Sequence, residues 1–154
     1  MGMAEGKYVV FRLADELYGL PIDSVERILE DQNPVRIPRT PKMVLGVFDL
    51  RGETIGALDL RARFEFPESK GESNMVVVNC SAGRCALRVD GVEGIYDFAQ
   101  DQIEESPTFT KGQDDAFLAG VGKRGDKLIV MLDIDHLIPE KVSKQMATSG
   151  KKAA

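Results

Sequence analysis

The glycines of GVGKRG, residues 120 to 125, have the G-x-G-x-x-G spacing that lets a backbone close on a dinucleotide pyrophosphate. That chemistry needs a strand before the glycines and a helix after them, so that free N–H groups at the helix start meet the phosphate. Here LIVML (128–132) follows, which reads as another strand, so a hairpin is expected in place of a nucleotide site. Cys80 and Cys85 flank a turn and are near enough in sequence to pair across a hairpin. His136, the single histidine, stands beside Asp133 and Asp135, but a metal needs three or four convergent ligands and no other trio is visible. The chain contains no G-x-S-x-G, H-E-x-x-H or Walker A pattern, and its 25 carboxylates offer no pair singled out by spacing. Neither an enzyme nor a cofactor is expected.

A different chemistry stands out in GVFDLRGETIGALDLR (46–61), where Arg51 and Gly52 occupy a turn between two strand-like runs. An arginine there presents a permanently charged, planar fork suited to bidentate or stacking contacts with a partner. Loop residues held by rigid strands often bind.

The elements that must carry these residues are short and rich in Val, Ile, Leu and aromatics. KYVVFRL (7–13), ELYGLPI (16–22), VERIL (25–29), MVLGVFDL (43–50) and ETIGALDL (53–60) are followed by MVVVNC (75–80), RCALRV (84–89), VEGIYDF (92–98), FLAGVGK (117–123) and KLIVMLDI (127–134). All read as strands. Turns are expected at Ala14-Asp15, Arg51-Gly52, Ser81-Ala82-Gly83 and Arg124-Gly125, and Asp59 and Asp133 are placed to cap one or two helical turns.

These runs repeat. A constant shift of 67 positions pairs Tyr8–Ile28 with Met75–Ile95, bringing Asp23 onto Asp90, Glu26 onto Glu93 and Ile28 onto Ile95; a shift of 74 then pairs Gly46 and Asp59 with Gly120 and Asp133. Two units follow, 8–64 and 75–138, joined by EFPESKGESN (65–74), with a short helix and a frayed tail expected over 139–154. Each unit reads as a small β barrel or sandwich, and at roughly 60 residues each is too small for a generous core, so the two are expected to pack permanently together. The repeat also dulls the remaining chemistry. Cys80 and Cys85 fall opposite Leu13 and Tyr18, which makes them core positions, and Asp135 and His136 fall opposite Arg61 and Ala62.

Twenty cations against 25 acids leave a net charge of −5, which disfavours general affinity for nucleic acid or anionic membrane. Aromatics are 6% of the chain and Trp is absent, so a base-stacking platform is not expected either. Between Arg36 and Arg63 the cations Arg36, Arg39, Lys42, Arg51, Arg61 and Arg63 outnumber Asp49, Glu53 and Asp59, whereas residues 90–105 hold six acids and no base. Such runs are most simply solvated faces, or else the two copies offer unlike charged surfaces to different partners. No apolar run is long enough to span a bilayer and MGMAEGK lacks a secretory signal, so a cytoplasmic protein without membrane insertion is expected.

Taken in order, ELYGLPI, VERI, RIPRTP, GVFDLRG, IGALDLR, VDGVEGI and GVGKRGDKLIVMLDI resemble the motif series of the CheW family of bacterial chemotaxis coupling proteins, over residues 8–138. The resemblance implies a mostly β fold of two SH3-like barrels around a shared apolar core, with short helices and no catalysis. It implies an adaptor between the cytoplasmic tips of methyl-accepting chemoreceptors and the regulatory domain of the CheA-type histidine kinase, held in receptor arrays at the inner face of the membrane. Carried over by motif, Arg51, Gly52, Gly46 and the strand around Val25 belong to a receptor-facing groove, and kinase contacts lie at barrel ends. Two positions depart from the family pattern: Asp49 replaces an Asn, and Arg27 stands where relatives often carry Glu. Both are docking-site candidates that bear on partner choice. The same module occurs fused to other domains, and the length here implies the stand-alone adaptor. The other reading left open is a β-barrel module binding peptides or nucleic acid in an unrelated pathway.

Overall fold

The computed structural model describes residues 5–68, 71–80, 83–104, 117–139 and 142. In the first half, β1 (Gly6–Leu13) and β2 (Glu16–Pro21) are followed by β3 (Val25–Glu30), β4 (Val44–Leu50), β5 (Glu53–Asp59) and α1 (Leu60–Arg63). The second half runs through β6 (Asn74–Cys80), β7 (Gly83–Val89), β8 (Gly91–Phe98), the two-residue β9 (Ile103–Glu104), β10 (Leu118–Arg124), β11 (Lys127–Leu132) and α2 (Ile134–Leu137). All ten expected strands form. β9 and the 3-10 turns at Ile22–Ser24 and Gln100–Gln102 were not among the expected elements. The tip at 81–82 and most of the expected C-terminal helix and tail lie outside the described residues.

The repeat reaches the irregularities as well as the strands. The ladder slips between Val44 and Gly46 on β4 and between Leu118 and Gly120 on β10, which are equivalent positions. A second matched pair of bulges lies between Val25 and Arg27 on β3 and between Val10 and Phe11, where β1 meets β8. Asp59 Oδ1 accepts from the Arg61 N–H at 3.0 Å, and Asp133 Oδ1 accepts from the Asp135 N–H at the same distance, as expected of N-caps. The last hairpin turns at Gly125 and Asp126, one residue later than expected, because β10 continues through Arg124. Gly125, with φ of 64°, supplies the left-handed position that Arg51 takes in the first copy.

The sheets do not follow the sequence units. One has the order β8-β1-β2-β11-β10-β9 and the other β3-β6-β7-β5-β4, so each joins the leading hairpin of one half to the trailing strands of the other. The junctions are the two parallel pairings, β2 with β11 and β5 with β7. The exchange is reciprocal because the halves are alike: a hairpin finds equivalent edges in either copy, as in domain swapping.

Three apolar clusters result. Met75, Val77, Phe48, Ile55 and Ala57 fill one sheet, with Leu29 and Leu45 from its two edge strands packed on them. Tyr8, Val10, Phe98, Ile129 and Met131 fill the other. Between them lies the largest cluster, which takes Phe11, Leu13 and Leu20 from one sheet and Leu58, Val76 and Leu87 from the other. Cys85, 3% exposed, belongs to this shared core and stands opposite Val78, with Cys80 opposite Gly83. The Cys80 side chain lies outside the described residues.

Candidate protein-docking site

Leu50 and Glu53 close the β4–β5 hairpin, and the two residues between them, Arg51 and Gly52, have φ of 53° and 87°. Two successive left-handed residues make a type I′ turn, whose twist matches that of the strands it joins. The Arg51 side chain is exposed and makes no hydrogen bond or ion pair among the described residues. Asp49 is also exposed, and its carboxylate accepts a long contact of 3.4 Å from the Gly52 N–H.

Gly46 lies on the same strand but is buried. Its φ is 136°, and a Cβ there would stand 2.0 Å from the Val35 carbonyl oxygen. The missing side chain lets the segment after β3 cross the edge of β4, where Val35 and Val47 exchange hydrogen bonds of 2.7 and 2.9 Å. Gly46 thus shapes the edge without presenting a side chain of its own.

At the other edge of this sheet, Val25 is half-buried against the shared core. Val25 stands opposite Val78 and Arg27 opposite Val77, so Glu26 is the extra residue of a β-bulge. Arg27 is a third exposed, and its Nε lies 3.7 Å from Glu26 Oε2.

Arg84 on β7 connects the edge strand β3 to the base of the β4–β5 hairpin. Its Nη1 donates to Glu53 at the base of the hairpin and its Nη2 donates to Glu26 at the bulge. Hydrogen bonds to Glu26 and then Glu53 raise the guanidinium pKa further, so the fork stays charged. Arg27, Asp49, Arg51 and Gly52 are therefore held on two elements braced by one side chain. Sequence reasoning passed over Arg84, Glu26 and Glu53 as site residues. A signal was present, since Arg84 falls opposite Leu17 in the repeat, a charge where the other copy is apolar.

The equivalent surface of the second half has unlike chemistry. Lys123 replaces Asp49, Gly125 replaces Arg51, Lys127 replaces Glu53 and Gly94 replaces Arg27. Residues 123–128 are all exposed, including Leu128 at 62%. The acidic run of this half is less open than its composition suggests. Asp90 pairs with Arg61, Glu93 with Arg12, Asp97 with Lys7 and Glu104 with Lys123, at 2.5, 2.7, 3.7 and 3.1 Å.

The remaining candidates take structural places. Gly120 and Gly122 lie within β10, and the hairpin returns as β11, so no helix start faces the glycines. His136 Nδ1 lies 2.8 Å from Asp133 Oδ2 on the exposed surface. No group of three His, Cys, Asp or Glu among the described residues is arranged to hold a metal, and no helix among them is long and apolar enough to cross a membrane.

The comparisons agree with this architecture. The model of the CheW-like domain matches residues 7–142. The chemotaxis protein CheW of Klebsiella aerogenes is 30% identical over 143 residues, covering 92% of this chain and 84% of that protein. Its counterpart in Treponema pallidum is 29% identical over 145 residues, covering 90% and 85%. The crystal structure of the scaffolding protein TtCheW from Thermoanaerobacter tengcongensis matches with a TM-score of 0.81 at 33% identity, covering 90% of this chain and 95% of that one. A pair of sheets sharing one core, matched along nearly its whole length, places this chain in the CheW-like family, whose members are chemotaxis scaffold and adaptor proteins and not enzymes.

Proposed function

We propose that this chain is the adaptor that couples the cytoplasmic tips of chemoreceptors to the regulatory domain of a CheA-type histidine kinase, in the cytoplasm at the inner face of the membrane. The observation that carries this reading is the chemical inequality of two equivalent surfaces. One half offers Arg51 on a braced hairpin and Arg27 on the bulge, where the other has Gly125 and Gly94, while Lys123 and Lys127 of that other half stand where the first has Asp49 and Glu53. A molecule with two unlike docking faces can hold two partners at once, whereas a simple two-fold repeat would compete with itself for one. Without catalytic groups, such an adaptor acts only through differential affinity for the partners' active and inactive arrangements, on the usual scale of about 1–3 kcal/mol.

The test is co-sedimentation with a receptor-tip fragment and the kinase regulatory domain, separately and together. A ternary pellet containing all three is expected. Mutually exclusive binding, or binding of neither partner, overturns the adaptor reading.

A further inference from the structure

Two arginines of this protein are bound in opposite styles. Arg61 gives both Nε and Nη2 to the single carboxylate of Asp90, the usual bidentate fork. Arg84 divides its fork, with Nη1 on Glu53 and Nη2 on Glu26, and its Nε is buried without a hydrogen-bond partner among the described residues. Splitting the fork forfeits one donor and spends the others on two carboxylates that lie on separate elements. One is the extra residue of the β3 bulge, unmatched in the ladder, and the other closes the hairpin two residues beyond Arg51. In sheet order two strands separate β3 from β5, so no ladder bond links these elements directly. The repeat shows that the fold has no need of the brace: Arg84 is replaced by Leu17 and Glu53 by Lys127, and Glu93, the equivalent of Glu26, pairs with Arg12 on the adjacent strand.

We propose that Arg84 is a positioning residue of the docking site, fixing the spacing between Arg27 at the bulge and Arg51 at the hairpin tip so that a partner meets two guanidinium groups at a set separation. The inference rests on the adaptor reading for the identity of the partner. The geometry of the brace is independent of it. Glu53 is held by Arg84, and Glu26 is shared between Arg84 and Arg27. Arg51 makes no ion pair among the described residues and Arg27, a third exposed, shares its one carboxylate; these are the two guanidinium groups presented to acidic groups on the partner.

The test uses the full chain and two variants, Arg84→Leu and the neutralised Arg84→Leu/Glu26→Gln/Glu53→Gln. Calorimetric titration with a receptor-tip fragment is expected to show about a tenfold loss of affinity in both, with the melting temperature nearly unchanged in the neutralised one. Amide hydrogen exchange at residues 51–53 and 26–27 is expected to accelerate in both, while the equivalent residues 125–127 and 93–94 keep their rates. Unchanged exchange at 51–53 and 26–27 overturns the proposal. So does full recovery of affinity in the neutralised variant, since that assigns the loss to stranded carboxylates and not to lost spacing. If the unaltered chain fails to bind the receptor tip, the adaptor reading falls and the exchange measurement alone decides the role of Arg84.

Discussion

Arg61 grips Asp90 through two donors at once, Nε at 2.7 Å from Oδ1 and Nη2 at 2.5 Å from Oδ2. The same carboxylate accepts from the Ala14 N–H at 2.9 Å, so one acid at the β7–β8 junction joins the first helix to the leading hairpin. Both side chains are largely buried, at 16% and 13% exposure. Burial alone would raise the Asp90 pKa, but the Arg61 fork, the Ala14 N–H and the nearby charges of Arg61 and Arg12 together hold it below the usual carboxylate value. Its folded pKa being the lower one, the stabilisation is present above the unfolded pKa and is lost as pH falls through the folded value. Asp59 has the opposite sign. Burial raises it despite the contacts from Arg61, Arg88 and Ala62, so its titration favours the folded state as pH falls. Asp90→Asn is therefore expected to cost roughly 2 kcal/mol at neutral pH and to flatten the acid loss of stability, whereas Asp59→Asn steepens it. Urea titrations at a series of pH values below about 5 check both.

Gly46 and Gly52 both have positive φ, yet their tolerance of a side chain should differ widely. A Cβ at Gly52 meets nothing within 4 Å, and one at Gly46 meets the Val35 carbonyl oxygen at 2.0 Å. Gly52→Ala is expected to cost about 1 kcal/mol of backbone strain. Gly46→Ala must also displace the Val35–Val47 bridge and should cost on the order of 3 kcal/mol or more. Thermal melts rank the two, and equal costs would show that the 35–47 crossing contributes nothing.

The two sheets are filled by different devices at one repeated position. Phe48 fills the first, and Gly122 occupies the same place in the second, where a Cβ would meet Met131 Cε at 2.4 Å and Phe98 Cε1 at 2.9 Å. Phe48→Ala is expected to cost about 3–5 kcal/mol by opening a cavity. Gly122→Ala should cost about 1–3 kcal/mol by overpacking, and Met131→Val in the same chain should recover part of that loss. Chemical denaturation of the three variants provides the comparison.

Because each sheet draws strands from both halves, a chain cut between β5 and β6 leaves two fragments that each lack part of both sheets. Separate fragments covering residues 1–70 and 71–154 are expected to be unfolded by circular dichroism and to gain β structure when mixed. A fragment that folds alone would show that the exchange of hairpins is optional.

Arg51 can be changed without disturbing the turn. Asp tolerates left-handed backbone better than most residues, so Arg51→Asp should shift the melting temperature little while reversing the charge at the hairpin tip. Receptor-tip affinity is expected to fall at least tenfold, and titration calorimetry at two salt concentrations separates the lost charge from any change of shape.

Much of this molecule was legible from residues within a few positions of one another. The ten long strands, the hairpin turn at Arg51 and Gly52, and the caps at Asp59 and Asp133 depend on local sterics and nearby hydrogen bonds, so composition and spacing expose them. β9 escaped notice because two residues, Ile103 and Glu104, are too few to show any alternation. The Gly46 crossing escaped because a glycine in a strand does not announce which backbone approaches it. Asp49, Arg51 and Gly52 lie on the β4–β5 hairpin and Arg27 on the β3 bulge, and the Arg84 brace that ties these two elements did not figure among the expected site residues.

Sequence alone therefore determined which segments are strands, where they turn, and that the chain repeats itself; that the repeat extends to the bulges was visible only in the strand register. Which strands share a sheet was decided only in three dimensions, as was the meeting of Arg84 with Glu53 and Glu26 across separations of 31 and 58 residues. The physical reason is that two similar halves offer nearly equivalent edges to every hairpin. The choice between them depends on how the whole core closes, an energy that belongs to no single segment.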